Sequence, residues 1–161
     1  MTSDIANSEQ MFRQTIALWD VVVFVLHLSF VPTIYKLGGG KGLFLRSTPS
    51  FLLRLALAPT LIPCILLAVL SSAASLVSLS CFAVLYGMLG VAVWHGTLWG
   101  LILEAAFCLL NVFFLLAGST RRLFRLKEMA PGLRLLFPGS SVAYGLIAAF
   151  IAAVAWRLSA G

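Results

Sequence analysis

The sequence predicts an all-α, polytopic integral membrane helix bundle, and three observations lead there. The 64 residues from Leu55 to Gly118 carry, apart from three cysteines and one tyrosine, only His95 and Glu104 as ionisable side chains. Helices that face water need a polar side, so a stretch this apolar reads as lipid-embedded. The composition, 61% hydrophobic and 10% charged, departs from the roughly half apolar and one-quarter charged average of soluble domains. Finally, the segments outside candidate spans reach only about 20 residues, too few for a second, soluble domain. One transmembrane domain over residues 1–161 follows.

Taken in order, residues 1–16 form a polar N-terminal segment of a kind that usually frays. Order in it would point to a holding contact from outside the chain. Ahead of the first span only Arg13 is basic, against Asp4 and Glu9, which matches neither a secretory signal nor an Arg-rich transit peptide. Insertion is therefore expected through an uncleaved first helix. That first span, residues 17–35, has Trp19 and Tyr35 as interface anchors. Asp20 and His27 are seven residues apart and share a helical face, with Arg13 seven residues before them. Pro32 is expected to kink the end of the span.

Residues 36–54 form a basic loop with Lys36, Lys41, Arg46 and Arg54. Gly38, Gly39, Gly40 and Gly42 lie around Lys41 without P-loop spacing, so they read as a flexible turn at headgroup level. Ser47, Thr48 and Pro49 make a plausible helix start. The next span, beginning near Ser50 or Leu55, carries Pro59 and Pro63 on one face and is expected to bend toward a protein neighbour. The serines between Ser71 and Ser80 suit either a turn or a helix whose hydroxyls bond back to its own carbonyls.

Residues 55–118 hold two or three spans, and His95-Gly96-Thr97 is the expected break, with Gly96 left-handed and Thr97 capping the next helix. In a five-span chain, residues 55–74, 76–94 and 98–118 all cross. In a four-span chain, part of 76–97 is tilted, re-entrant or interfacial. Lysine and arginine favour the non-translocated side. Four spans place nine basic residues on one side, from the loops 36–54 and 119–138, against Arg13 and Arg157 opposite. Five spans divide them six against five. Four spans are preferred.

Gly96, Gly100, Glu104 and Cys108 recur every four residues, with Asn111 seven after Glu104. Stripes of small and polar residues face protein rather than lipid. Residues 119–138 supply Arg121, Arg122, Arg125, Lys127 and Arg134 among Leu, Phe and Met, a short basic interfacial segment. Pro131 and Pro138-Gly139 punctuate it, and Ser140 or Ser141 is placed to cap the last span, residues 140–158. There, Ser141, Gly145, Ala149 and Ala153 form a second small row, beside Tyr144, Ala148, Ala152 and Trp156.

The net charge of +6 lies in short loops beside apolar helices, so anionic phospholipids are the expected counter-charge and nucleic acid is not. Lys36, Lys41, Arg46, Arg54, Arg121, Arg122, Arg125 and Lys127 are the headgroup candidates. Cys64, Cys81 and Cys108 have no metal-ligand spacing and read as small buried hydrophobes. His27 and His95 would ligate one haem b if they shared a depth. Asp20, His27, Glu104 and Asn111 suit a proton or ion path, because an isolated carboxylate in hydrocarbon costs ~3 kcal/mol or more.

No nucleophile–base spacing, metal cluster or phosphate fingerprint is present, so an enzyme is not expected. The preferred expectation is a small accessory subunit of a larger membrane complex, packed through Gly96, Gly100, Glu104, Asn111, Ser141, Gly145, Ala149 and Ala153 against other membrane subunits. Loops suited to anionic lipid suggest the mitochondrial inner membrane and an energy-converting complex. The haem anchor and the small proton or ion transporter are the alternatives.

Overall fold

A computed structural model describes residues 2–45, 54, 60–124, 127 and 131–160, all of the regular elements among them being helical. In chain order these are α1 (Thr2–Lys36), α2 (Gly40–Leu45), α3 (Leu61–Val69), α4 (Ser72–His95), α5 (Leu98–Leu116), α6 (Gly118–Leu123), α7 (Pro131–Arg134) and α8 (Leu136–Ala160). Four of them, α1 from Asp4, α4, α5 and α8, are long and apolar enough to cross a membrane. By composition and helix length this is an integral membrane protein.

Four such helices are present, but not in the arrangement on which the preference for four rested. The segment around residues 76–97 is not broken into a re-entrant element. It belongs to the 24-residue α4, which is as long as a full crossing requires. Ser71 starts this helix, its side chain accepting from the Ala74 amide at 3.4 Å. Gly96 ends it at φ 68°, a left-handed conformation that costs glycine little. Thr97 opens α5, but its hydroxyl donates back to the Ala92 carbonyl at 3.2 Å instead of capping the new helix.

The short member is the proline segment before α4. The nine residues of α3 rise only about 13 Å, less than half of a bilayer core. Pro63 sits in its first turn, where no amide hydrogen is needed, and Pro59 lies outside the described residues, as do Ser47, Thr48 and Pro49. The protein neighbour expected for this segment is this chain itself: Leu61, Pro63, Cys64 and Leu67 are buried in it.

Threaded in order, the four spans bring residues 2–12, the 96–97 turn and the end of α8 to one face. Of the described residues, 37–45, 68–71, 117–124, 127 and 131–135 lie at the other, the basic face, which carries most of the described lysines and arginines. Among the described residues, the unequal charge division expected for four spans is therefore kept with different helices.

α1 packs along α4, and α5 along α8, while the two pairs touch one another less. Gly90 permits the first pairing: a Cβ there would lie 3.0 Å from the Ala17 carbonyl oxygen and 3.2 Å from the Asp20 Cβ. The glycine-rich turn is packed rather than flexible. Gly40 is buried, its amide donates to the Ser75 hydroxyl at 3.0 Å, and a side chain there would run into the Leu67 backbone.

Two apolar clusters hold the ends. Near the basic face, Ile34, Leu43, Leu61, Cys64, Leu67, Leu79, Leu115, Phe124 and Phe137 pack together. Near the terminal face, Ile16, Ala17, Val93, Leu101, Ala105, Ile151, Val154 and Ala155 do the same. The interfacial segment is anchored through Phe124, whose ring meets Phe44 at 6.1 Å and Phe137 at 5.4 Å. Pro138 does not interrupt the last helix. It falls in the first turn of α8, which begins at Leu136, so neither Ser140 nor Ser141 is a cap.

The polar N-terminal segment is helical from Thr2, and contacts within the chain hold it. Phe12 meets Phe150 edge-on at 4.5 Å, Glu9 pairs with Arg157, and Arg13 donates to the Val93 carbonyl at 3.4 Å. Its order thus needs no outside subunit.

Candidate functional site

Between the two apolar clusters lies a layer of buried polar side chains. Asp20, His27, Thr60, Glu104 and Asn111 are each at least nine-tenths buried, at depths where water is scarce. Each needs a partner, because an unpaired polar group in such surroundings costs several kcal/mol.

One half of the layer is satisfied apart from the Tyr86 hydroxyl, which is buried with no hydrogen-bond partner among the described residues. The N-terminal turn of α3 points into the bundle, and the Leu61 amide donates to Asn111 Oδ1 at 3.2 Å. Asn111 in turn donates through Nδ2 to the Phe107 carbonyl at 3.0 Å. His27 Nδ1 lies 2.7 Å from the Val23 carbonyl oxygen, which can only accept, so Nδ1 carries the proton. Nε2 is then the acceptor for the Thr60 hydroxyl at 3.2 Å. Tyr86 closes this half, its ring 5.6 Å from that of His27 and 5.9 Å from that of Phe107.

The other half is not satisfied. Asp20 on α1 and Glu104 on α5 sit close enough for their charges to act on one another. Cys108 donates to Glu104 Oε1 at 3.3 Å, yet Glu104 Oε2 and Asp20 Oδ2 are buried with no hydrogen-bond partner. No lysine or arginine is among the described side chains of this layer. Two neighbouring carboxylates without a cation repel one another and are both poorly solvated, so the pair requires a proton, a bound cation or both.

Glu104 also lines a cleft of about 480 Å³ between α1, α5 and α8, with Phe12, Trp19, Cys108, Tyr144 and Ile147. It lies where the two helix pairs part. Phe12, one of its lining residues, meets Phe150 edge-on.

The remaining sequence-expected residues divide clearly. His27 and His95 are not brought together. Nine residues of α4 separate His95 from Tyr86, the residue that packs on His27, a rise of about 13 Å. Both His27 nitrogens are engaged, while His95 is exposed at the end of α4. One haem between them is ruled out by this geometry.

Several of the residues expected on partner helices are turned inward instead. Gly96 packs on Arg13, Gly100 on Ala92, and Glu104, Asn111 and Ser141 are buried within the chain. The outer part of the second row faces away from it: Ala149 and Ala153 are exposed, and nothing lies within 4 Å of a Cβ built on Gly145.

Of the headgroup candidates, Lys36, Lys41, Arg121, Arg122 and Lys127 are exposed at the basic face. Arg54 is half-buried with its guanidinium 5.7 Å from the Phe44 ring centre. Arg46 and Arg125 lie outside the described residues. Among the cysteines, Cys64 and Cys108 are buried as expected, but Cys81 is exposed on the outer side of α4.

Sequence reasoning missed Thr60, Tyr86 and Tyr144. Thr60, immediately before an apolar run with proline at its third position, carried a helix-start signal. Tyr86 and Tyr144 carried the signal of a hydroxyl inside an apolar span.

Comparison with protein-family models, with curated proteins and with solved structures finds no match to this chain. What the fold and the site define is a class: an all-α bundle with four helices suited to spanning a membrane, polar at its centre and carrying a buried carboxyl pair beside a lateral cleft.

Proposed function

We propose that the chain exchanges protons or cations within the membrane, with Asp20 and Glu104 as the exchanging pair. The observation that supports this most is the pair itself: two buried carboxyls whose charges act on one another, each with an oxygen that no described side chain satisfies. A chain that only packed against other subunits would gain nothing from that cost. In this reading His27, Thr60, Tyr86 and Asn111 fix the position of α3, whose N-terminal amides face the layer from the basic side.

Support for a purely structural subunit is reduced by the same observations. Asn111 finds its partners in the chain, and so does the N-terminal segment, while Glu104 is buried within it rather than turned toward another chain. The exposed Ala149 and Ala153, with open space at Gly145, favour a second, compatible reading, in which α8 docks the protein onto another membrane helix of a larger complex. Exposed lysines and arginines suit anionic phospholipid at the non-translocated side. A mitochondrial inner membrane fits that lipid requirement.

The test is flux. Proteoliposomes holding a pH-sensitive dye, with an imposed potassium diffusion potential, should take up protons faster than empty vesicles. Glu104→Gln and Asp20→Asn should each remove the difference while keeping the helical circular dichroism. Equal rates in wild type, variants and empty vesicles would overturn the proposal.

A further inference from the structure

The cleft between α1, α5 and α8 says more about the cation than the carboxyl pair alone. Its volume of about 480 Å³ falls within the roughly 300–1,000 Å³ of small-molecule sites. Its wall is apolar and aromatic apart from a few groups: Thr15, Glu104, Cys108, Ser140 and Tyr144. Of these, the Thr15 hydroxyl is already bonded to the Met11 carbonyl at 2.9 Å, and Cys108 is bonded to Glu104. Glu104 Oε2 is the buried acceptor that remains unpaired.

An occupant must therefore bring a donor to Glu104 and apolar surface to Phe12, Trp19 and Ile147. The charges decide which donor. Asp20 is buried behind the lining and adds its charge to that of Glu104, and the described lining includes no basic side chain. A carboxylate or phosphate headgroup would be repelled, whereas a cation is attracted by both carboxyls. The Trp19, Tyr144 and Phe12 rings add cation–π attraction to the same ligand.

Access matters too. The lining residues Phe12, Thr15, Trp19 and Ala143 are exposed on the flanks of membrane-suited helices, so an apolar tail can stay in lipid while the head enters. We infer that this cleft binds a lipophilic ammonium ion, a protonated amine on an alkyl or aryl body, with its nitrogen on Glu104. The inference rests on the exchange reading above and names the cation that would be exchanged.

Direct binding tests it. The intact protein in phosphatidylcholine nanodiscs is titrated with radiolabelled dodecylammonium, and binding to empty nanodiscs is subtracted. Saturable binding of a single molecule per chain is expected, displaced by unlabelled dodecylammonium and not by dodecanol. Glu104→Gln should weaken it by about tenfold or more. Ile147→Trp, which fills the cleft without touching a carboxyl, should weaken it as strongly.

Equal binding to wild type and Glu104→Gln, or to Ile147→Trp, overturns the inference. So does equal competition by dodecanol, which would make the cleft a slot for acyl chains. The two readings fail separately: proton flux without dodecylammonium binding removes only the ammonium site, and binding without flux removes only exchange.

Discussion

Two stripes of small residues run through this chain at the same four-residue spacing, and they end on opposite sides of their helices. On α5, Gly100, Glu104, Cys108 and Asn111 are buried inside the bundle. On α8, Ala149 and Ala153 are exposed and Gly145 has open space before it. The difference lies in what accompanies the small residues. A carboxyl and an amide cost several kcal/mol if left to lipid, so a stripe containing them turns toward whatever protein is nearest. In this chain that is α3, α1 and α8. A stripe of glycine and alanine carries no such cost and can remain outside.

The largest effect that would break the comparison is expected at Gly100. A side chain there meets Ala92 and the Thr97 hydroxyl across the tight α4–α5 turn, so Gly100→Leu should destabilise by about 3 kcal/mol. Reversible unfolding in mixed detergent micelles, followed by far-ultraviolet circular dichroism, measures it. Asn111→Ala should cost somewhat less, about 1–3 kcal/mol, because it leaves the buried Leu61 amide without an acceptor. The same substitution should raise hydrogen exchange across Leu61–Val69 ahead of the four spans.

Smaller still is the exposed Glu9–Arg157 pair. Glu9→Gln should cost only about 0.2–1 kcal/mol, falling with added salt. At the end of the series, Gly145→Leu should shift the stability of the isolated chain by no more than about 0.5 kcal/mol. If α8 docks onto a partner, the substitution should nevertheless abolish co-migration on native gels. Equal unfolding penalties at Gly100 and Gly145 would mean that the two stripes are not distinguished in the way described.

Local signals in the sequence were legible where one residue's chemistry decides the outcome. Gly96 ends α4 because few other residues tolerate its φ, and the exclusion of polar groups from lipid marked Asp20, His27, Glu104 and Asn111 as residues kept for a reason. Depth was not legible. An apolar run with two prolines looks the same whether its helix starts at a membrane face or inside the bundle, and only the contacts of Thr60 and Leu61 with His27 and Asn111 place the start of α3 inside. The Asp20–Glu104 meeting was out of reach for a similar reason. It depends on which helices pair, and hydrophobic periodicity does not encode that order. Loop charge kept its meaning even though the spans were assigned differently, since it depends on the faces the loops occupy and not on which apolar segment does the crossing.

Whether the α5 stripe is really turned into its own chain can be read directly from carboxyl-to-carboxyl magnetisation transfer in solid-state NMR. Protein labelled with carbon-13 at aspartate and glutamate carboxyls is reconstituted in lipid, alone and diluted into unlabelled chains. The account predicts an Asp20–Glu104 cross-peak that survives dilution and disappears in Glu104→Gln. A cross-peak that vanishes on dilution, or that is never seen, would place Glu104 against another chain and contradict it.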